Sequence, residues 1–201
     1  MDFPVIISFY TKGTPYEEEV QNLLTSCKGF GLDASIQGVE SQGSWELNCA
    51  YKPFFILEKI EEFNRPVLWV DADGVFVQKP IWQKAVESDL AVRIEDVPDF
   101  HPSKVISSTV FVRPEGKDLI HLWIQNCRDL LLDSNRKEEF WDQIALRGVV
   151  IQHPERVSPM PLSYAKIYDH PGDCQQVEKP VIEHYQASRR FKEKINGQKA
   201  P

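Results

Sequence analysis

The chain has little cysteine. Cys27, Cys49, Cys127 and Cys174 are scattered over 201 residues, with neither the paired spacing of a zinc site nor the density of a disulfide scaffold, so free structural thiols are expected. Long hydrophobic runs are missing too. No apolar stretch approaches membrane-spanning length, and Met1, Asp2, Phe3 and Pro4 place no basic segment before the first apolar run, which argues against a secretory signal and for a cytosolic location. No internal repeat, low-complexity tract or glycine-rich linker divides the sequence, and the length suits one domain. Basic residues are the minority: 23 Lys and Arg face 30 Asp and Glu, for a formal charge of -7. A net anion is repelled by a phosphate backbone, so a nucleic-acid partner is not expected. The exception is the C-terminal stretch, where Arg189, Arg190, Lys192, Lys194 and Lys199 outnumber the lone acid Glu193.

What is present is the composition of an ordinary globular domain, 42% hydrophobic and 26% charged. Val5 to Tyr10 is a short apolar run closed by Thr11, Lys12 and Gly13, and it reads as a buried first strand. Thr14 before Pro15 reads as a helix cap, with Glu17, Glu18 and Glu19 in the first turn where the helix dipole favours acids. Tyr16, Val20, Leu23 and Leu24 give that helix an apolar face, and glycines at 29 and 31 end it. A strand is expected over Ala34 to Val39. Gly43 and Ser44 open a helical segment in which Pro53 is a break or a fresh start, and Pro66 stops it. Val67 to Val70 is a continuous apolar strand ending at Asp71. Further strands are expected at Leu90 to Ile94, Val105 to Val112 and Gly148 to Ile151, with helices at Asp118 to Leu132 and Glu138 to Leu146. The last third, with prolines at 154, 159, 161, 171 and 180, reads as irregular loops. Alternating strands and helices imply an α/β fold around a mostly parallel sheet.

The centre of interest is Asp71, Ala72, Asp73. An apolar strand that ends in two acids sets both at the carboxyl edge of the sheet, where open α/β folds bind ligands. If the chain stays extended, side chains at i and i+2 point the same way, so Asp71 and Asp73 converge on one cation. Hard oxygen ligands suit Mg2+ or Mn2+, which neutralises a departing diphosphate. The same triplet followed by Gly74 also fits a tight turn with no further role.

Trp45, Lys52 and Pro53 followed by Val67 to Asp73 resemble the core of nucleotide-diphospho-sugar transferases of the A-type glycosyltransferase fold. Ser108 to Phe111 followed by Trp123, then Trp141, Asp142 and Gln143, resemble that family's acceptor-side strand and the helix with its Asp-Gln pair. Pro180 to Arg189 resembles its C-terminal segment, whose histidine completes the metal site. The resemblance implies a single-domain, Rossmann-like fold with a mixed, mostly parallel sheet flanked by helices. It implies a nucleotide-sugar half over 1–112, an acceptor-side half over 113–188 and a basic tail over 189–201. It implies Mn2+ or Mg2+ held by Asp71, Asp73 and His184. Thr11, Tyr16, Lys52, Ala72 and Arg189 would bind a nucleotide-sugar donor, with a UDP-sugar as the leading candidate. Asp142 would orient the sugar or act as nucleophile or base, and Gln143 would stabilise positive charge on the ring. The acceptor, whether glycan, lipid or protein, is left open, and the Asp142, Gln143 pair with the late histidine leans towards retention. Arg189, Arg190 and Lys192 would close over the diphosphate or touch an anionic membrane, or would form a solvated tail. Tryptophans 45, 69, 82, 123 and 141 are core candidates. Two other readings are a haloacid-dehalogenase-like phosphatase with Asp71 as nucleophile and Asp73 as acid and base, and a nucleotide-sugar-binding protein without turnover.

Overall fold

The computed structural model describes residues 4–81, 88–137 and 139–196, with side chains described as far as residue 191. Trp82, Glu138, Lys199 and the side chains of Lys192, Glu193 and Lys194 lie outside the described residues. In chain order the elements are β1 (Val5–Thr11), α1 (Tyr16–Phe30), β2 (Ala34–Val39), α2 (Trp45–Ala50), α3 (Lys52–Phe63), β3 (Val67–Val70), β4 (Gly74–Phe76), β5 (Leu90–Ile94) and β6 (Val105–Val112). There follow α4 (Lys117–Leu132), α5 (Asp142–Gln152), β7 (Val157–Pro159), β8 (Lys166–Ile167), α6 (Pro171–Gln176), β9 (Ile182–His184) and α7 (Ala187–Asn196).

Six strands form the main sheet in the order β2, β1, β3, β6, β5, β7. β1 runs parallel to both β2 and β3, β5 runs parallel to β7, and β6 is antiparallel to β3 and to β5. Five strands therefore share one direction, and the expected mixed, mostly parallel α/β domain is what forms. The central strands read as unbroken apolar runs because both of their faces are covered. Alternate residues divide between two layers, as strand geometry requires. Val5, Ile7, Val67, Trp69, Val110 and Val112 face α3, α4 and α5, against Phe55, Ile56, Ile120 and Trp123. Ile6, Leu68, Val70 and Phe111 face the other way, against Leu23 and Cys27 of α1 and against Phe76 and Ile182. Each such side chain contributes about 1.5–3 kcal/mol on full burial, so these two layers set the sheet rigidly.

Local signals act largely as expected, with instructive departures. α1 begins one residue later than expected: the Thr14 hydroxyl donates to the Thr11 carbonyl at 2.6 Å instead of capping the helix, and Pro15 stands at the cap. Leu24, expected on the apolar face, is exposed, while Cys27 one turn on from Leu23 is buried. Pro53 is a fresh start: α2 is capped by Ser44, which accepts from the Leu47 amide at 3.2 Å, and Pro53 sits in the first turn of α3, where its missing N–H costs nothing.

Gly148 to Ile151 is not a strand. It is the second half of α5, whose buried residues Ile144, Ala145, Leu146, Val149 and Val150 recur at helical spacing. A short apolar run carries no periodicity that separates helix from strand. Nor is the last third irregular: β9 pairs antiparallel with β4 and parallel with β8 in a second, three-stranded sheet. That sheet is tied to the main one by Arg93 of β5, whose guanidinium meets both Asp173 oxygens at 2.6 and 2.8 Å and the Ala165 carbonyl at 2.8 Å. All four cysteines are free. Among the described residues no helix is long and apolar enough to cross a membrane.

Candidate functional site

β3 ends at the carboxyl edge of the sheet, and the chain turns at once. The Asp71 amide donates to the Ser108 carbonyl of β6 at 2.9 Å, and the Gly74 amide donates back to the Asp71 carbonyl at 2.8 Å. Asp71 and Asp73 therefore do not project from one extended strand, and each carboxylate finds its own partners across the turn. Ala72 between them is buried. The turn cannot carry a larger residue at its end: a β-carbon on Gly74 would lie 2.5 Å from Val70 Cγ1 and 3.0 Å from His184 Cε1. Glycine here is what lets the imidazole approach the turn.

On the Asp71 side the centre is Lys52, at the start of α3. Its ammonium lies 3.0 Å from Asp71 Oδ1 and 3.0 Å from Asp142 Oδ2, and 3.3 Å from both the carbonyl and the hydroxyl of Ser107. Asp71 Oδ1 also accepts from the Trp69 indole at 2.7 Å, and Asp142 Oδ2 from the Ser107 hydroxyl at 2.7 Å. The Trp123 indole donates to the Asp142 carbonyl at 2.9 Å, which fixes the first residue of α5. Lys52 and Asp142 are buried, whereas the Asp71 side chain keeps 34% of its exposure. Burial disfavours the Lys52 charge, but the Asp142 and Asp71 carboxylates outweigh it and hold the ammonium proton well above the ordinary lysine range. Asp71 is pushed up from the usual carboxylate value, by burial first; Lys52 works against this, while Asp73 and Asp142 add to it.

On the Asp73 side the partner is His184, which is completely buried. The register of the small sheet sets it directly opposite Gly74. Its Nε2 lies 2.8 Å from the Thr109 hydroxyl, and that hydroxyl donates its only proton to the Tyr164 carbonyl at 2.8 Å. Thr109 must therefore accept from Nε2–H, which leaves Nδ1 as the ring nitrogen open to a second proton or to a metal. Nδ1 has no hydrogen-bond partner among the described residues and faces Asp73 Oδ1 at 3.7 Å. The other Asp73 oxygen accepts from the Ala187 amide, the first of α7, at 2.6 Å. Burial would raise the Asp73 carboxyl, but His184 and the Ala187 amide prevail and hold it below the usual value.

A lone pair aimed at a carboxylate oxygen is repulsive unless a proton or a cation stands between them. The donor set, one imidazole nitrogen and one carboxylate oxygen with the Asp71 carboxylate across the turn, is the chemistry that Mn2+ accepts. The Thr109 relay is the outer support that metal-bound histidines ordinarily have. Among the described residues no group of three or more His, Cys, Asp or Glu side chains is placed to hold a metal ion, so Asp71 does not join Asp73 and His184 as a third ligand in this arrangement. Further ligands would have to come from bound substrate or water.

The other expected residues surround this turn unevenly. Thr11 is buried at the end of β1, and Tyr16 begins α1, with its ring 6.3 Å from Phe191 of α7. Burial and then the Asp73 carboxylate push the Tyr16 phenol well up, so the two lie within electrostatic reach. Arg189 is exposed and pairs loosely with Asp169 at 3.4 Å, while Arg190 holds Glu19 of α1 at 2.7 Å. α7 thus spans from the Asp73 side to α1. Gln143 follows Asp142, but its amide nitrogen donates to the Pro102 carbonyl at 3.1 Å. Ser107, just before the Ser108 to Phe111 segment, and Thr109, within it, are functional candidates to which the sequence assigned no role of their own. The available signal was three hydroxyl residues, Ser107, Ser108 and Thr109, inside the buried apolar run of β6, since buried hydroxyls need partners.

No protein-family model matches the chain, and no curated protein matches it. Solved structures do. A glycosyltransferase involved in the glycosylation of the major capsid of PBCV-1 superposes with a TM-score of 0.71 at 15% identity, covering 96% of this chain and 98% of that one. The glycosyltransferase GlyE of Streptococcus pneumoniae TIGR4 gives a TM-score of 0.59 at 13% identity over 90% of this chain and 54% of that chain. Mouse xyloside xylosyltransferase 1 gives 0.56 at 10% identity over 92% and 98%. At these identities the likeness is one of fold, and it extends over nearly the whole chain.

Proposed function

We propose that this chain is a glycosyltransferase that takes a sugar from a nucleoside-diphosphate donor, with a UDP-sugar as the leading candidate, and that a divalent cation, Mn2+ or Mg2+, assists it. The observation that carries this reading is the unpartnered Nδ1 of His184 facing Asp73 at the carboxyl edge of the sheet, in a fold shared with glycosyltransferases. Asp73 and His184 would hold the cation, with Asp71 contributing from across the turn. When bound, the cation supplies positive charge against the developing charge of the leaving diphosphate.

The protein's own groups do the rest. Thr11 and Tyr16 form the nucleotide edge, with Ala72 allowing close approach of the donor to the turn, and α7 with Arg189 closes that side. Asp142 is held by Lys52 and Ser107, which suits a carboxylate that orients the sugar. Gln143 has its nitrogen engaged, so its carbonyl oxygen is the group available to positive charge on the ring. We assign 1–112 to donor binding and 113–188 to the acceptor side, with the acceptor a glycan, lipid or protein. The basic segment from 189 onward is a peripheral contact for an anionic surface. Four free thiols support a reducing, cytosolic setting. The phosphatase and non-catalytic readings are not favoured, since the structural neighbours named above are glycosyltransferases.

The direct test is donor hydrolysis. Purified protein with Mn2+ is offered UDP-, GDP- and ADP-sugars, and release of the free nucleotide is followed by chromatography. Metal-dependent release from one nucleotide class supports the reading, and no release from any of them with an ordered, folded protein would sink it.

A further inference from the structure

We infer that Lys52 is a positioning residue that serves as a built-in cation: its ammonium masks one oxygen of Asp71 and locks Asp142, so that the site captures a divalent metal well only together with a nucleoside diphosphate. This rests on the donor-binding reading above and adds to it a role for a residue expected to contact phosphates directly.

The geometry leaves Lys52 nothing to offer a phosphate. An ammonium has three protons. Here they are met by Asp71 Oδ1 at 3.0 Å, Asp142 Oδ2 at 3.0 Å and Ser107 at 3.3 Å, and the ammonium stands 5.4 Å from the Trp69 ring centroid. Its side chain is 8% exposed, so it cannot swing out without leaving two carboxylates uncompensated. Those carboxylates come from different elements, one from the turn after β3 and one from the first residue of α5. Lys52 therefore joins the metal-side turn to the Asp142, Gln143 pair as one unit.

The charge count gives the consequence. Asp71, Asp73 and Asp142 carry three negative charges, and Lys52 returns one positive charge beside the carboxylate that a metal would use. A cation entering alone meets this ammonium and finds Asp71 Oδ1 already taken by Lys52 and Trp69. A diphosphate brings oxygens and negative charge that offset both. Coupling of this kind is reciprocal: the nucleotide must bind more tightly with metal by the same factor as metal does with nucleotide.

The test is a calorimetric titration of Mn2+ into wild type, K52M and K52R, each with and without saturating UDP. For wild type, UDP should tighten Mn2+ binding by about tenfold or more, the size expected of a site-to-site coupling. K52M should bind Mn2+ alone about tenfold more tightly, because a nearby positive charge has gone, and should lose most of the coupling. K52R, which keeps the charge, should keep the coupling. A purely structural role for Lys52 would weaken Mn2+ binding in K52M with and without UDP, and that result overturns the inference. Should K52M fail to fold, a folded K52R that loses the coupling overturns it equally. If K52M gains Mn2+ affinity while neither protein binds UDP, Lys52 masks Asp71 and the donor reading fails instead. If no protein binds Mn2+ under any condition, both fail.

Discussion

The two flanks of the Asp71–Gly74 turn differ in one respect that decides their roles. On the Asp71 flank the buried charged groups are paired: Lys52 saturates its ammonium on Asp71, Asp142 and Ser107, and two indoles donate into the same network. On the Asp73 flank the pairing stops one partner short, because the Thr109 relay engages Nε2 and leaves His184 Nδ1 without a hydrogen-bond partner, 3.7 Å from a carboxylate oxygen. A satisfied buried network rigidifies the structure around it, whereas a buried polar atom without a partner costs free energy in the empty state and is repaid when the missing group arrives. The first flank is a frame, and on the proposed function the second is a receptor.

Breaking the receptor should have the largest effect. H184A and D73N should each lower Mn2+-dependent UDP affinity by about 100-fold or more, beyond the range seen for outer-sphere changes. D73N should unfold within a few degrees of wild type, and unchanged UDP affinity in that folded variant would remove Asp73 from the metal set. G74A comes next: its β-carbon enters space held by Val70 and the His184 ring, which should cost about 1–3 kcal/mol in urea unfolding and weaken the metal response as the ring is displaced. T109V keeps the shape but loses the relay, so the ring is free to turn. A fall of about 10- to 100-fold in Mn2+ affinity is expected with little change in UDP binding in EDTA. On the frame flank the ranking inverts. D142N should show mainly in stability, by about 1–3 kcal/mol, with Mn2+-dependent UDP binding changed less than in T109V.

The smallest and most discriminating contrast is in pH dependence of the metal-free protein. Asp73 titrates below its ordinary value of 3.8, so its contribution to stability is present above about pH 4 and lost as pH falls through the folded value. Asp71 titrates above 3.8, so its ionisation opposes folding and acidification relieves it. Urea midpoints measured in EDTA from pH 3 to 6 should therefore fall less steeply on acidification in D73N than in wild type, and more steeply in D71N. Slopes shifted in the same direction by both would contradict the division between the flanks.

Much of the scaffold was legible from residue order. Val67 to Val70 announce a central strand because a sheet covered on both faces needs continuous apolar residues, and the same holds for Val5 to Tyr10 and Val105 to Val112. The small sheet was not legible, since strands of two or three residues are too short to show a period. Gly148 to Ile151 misled for the same reason, and Thr14 because its hydroxyl had a nearer carbonyl to satisfy. Within the site, the acids and His184 stood out through a family likeness, but their division into two flanks did not. That division depends on the turn after Val70 and on Lys52 meeting residues from three distant segments, contacts that only the folded chain brings about.

On the proposed function, Asp73 and His184 would together hold a divalent cation when a nucleoside diphosphate is bound. The most direct measurement is a titration of UDP into wild type and H184A by calorimetry, each in Mn2+ and in EDTA. Mn2+ should tighten UDP binding strongly in wild type and have almost no effect in H184A. Equal UDP affinity in Mn2+ and EDTA for wild type, or an undiminished Mn2+ effect in folded H184A, would contradict it.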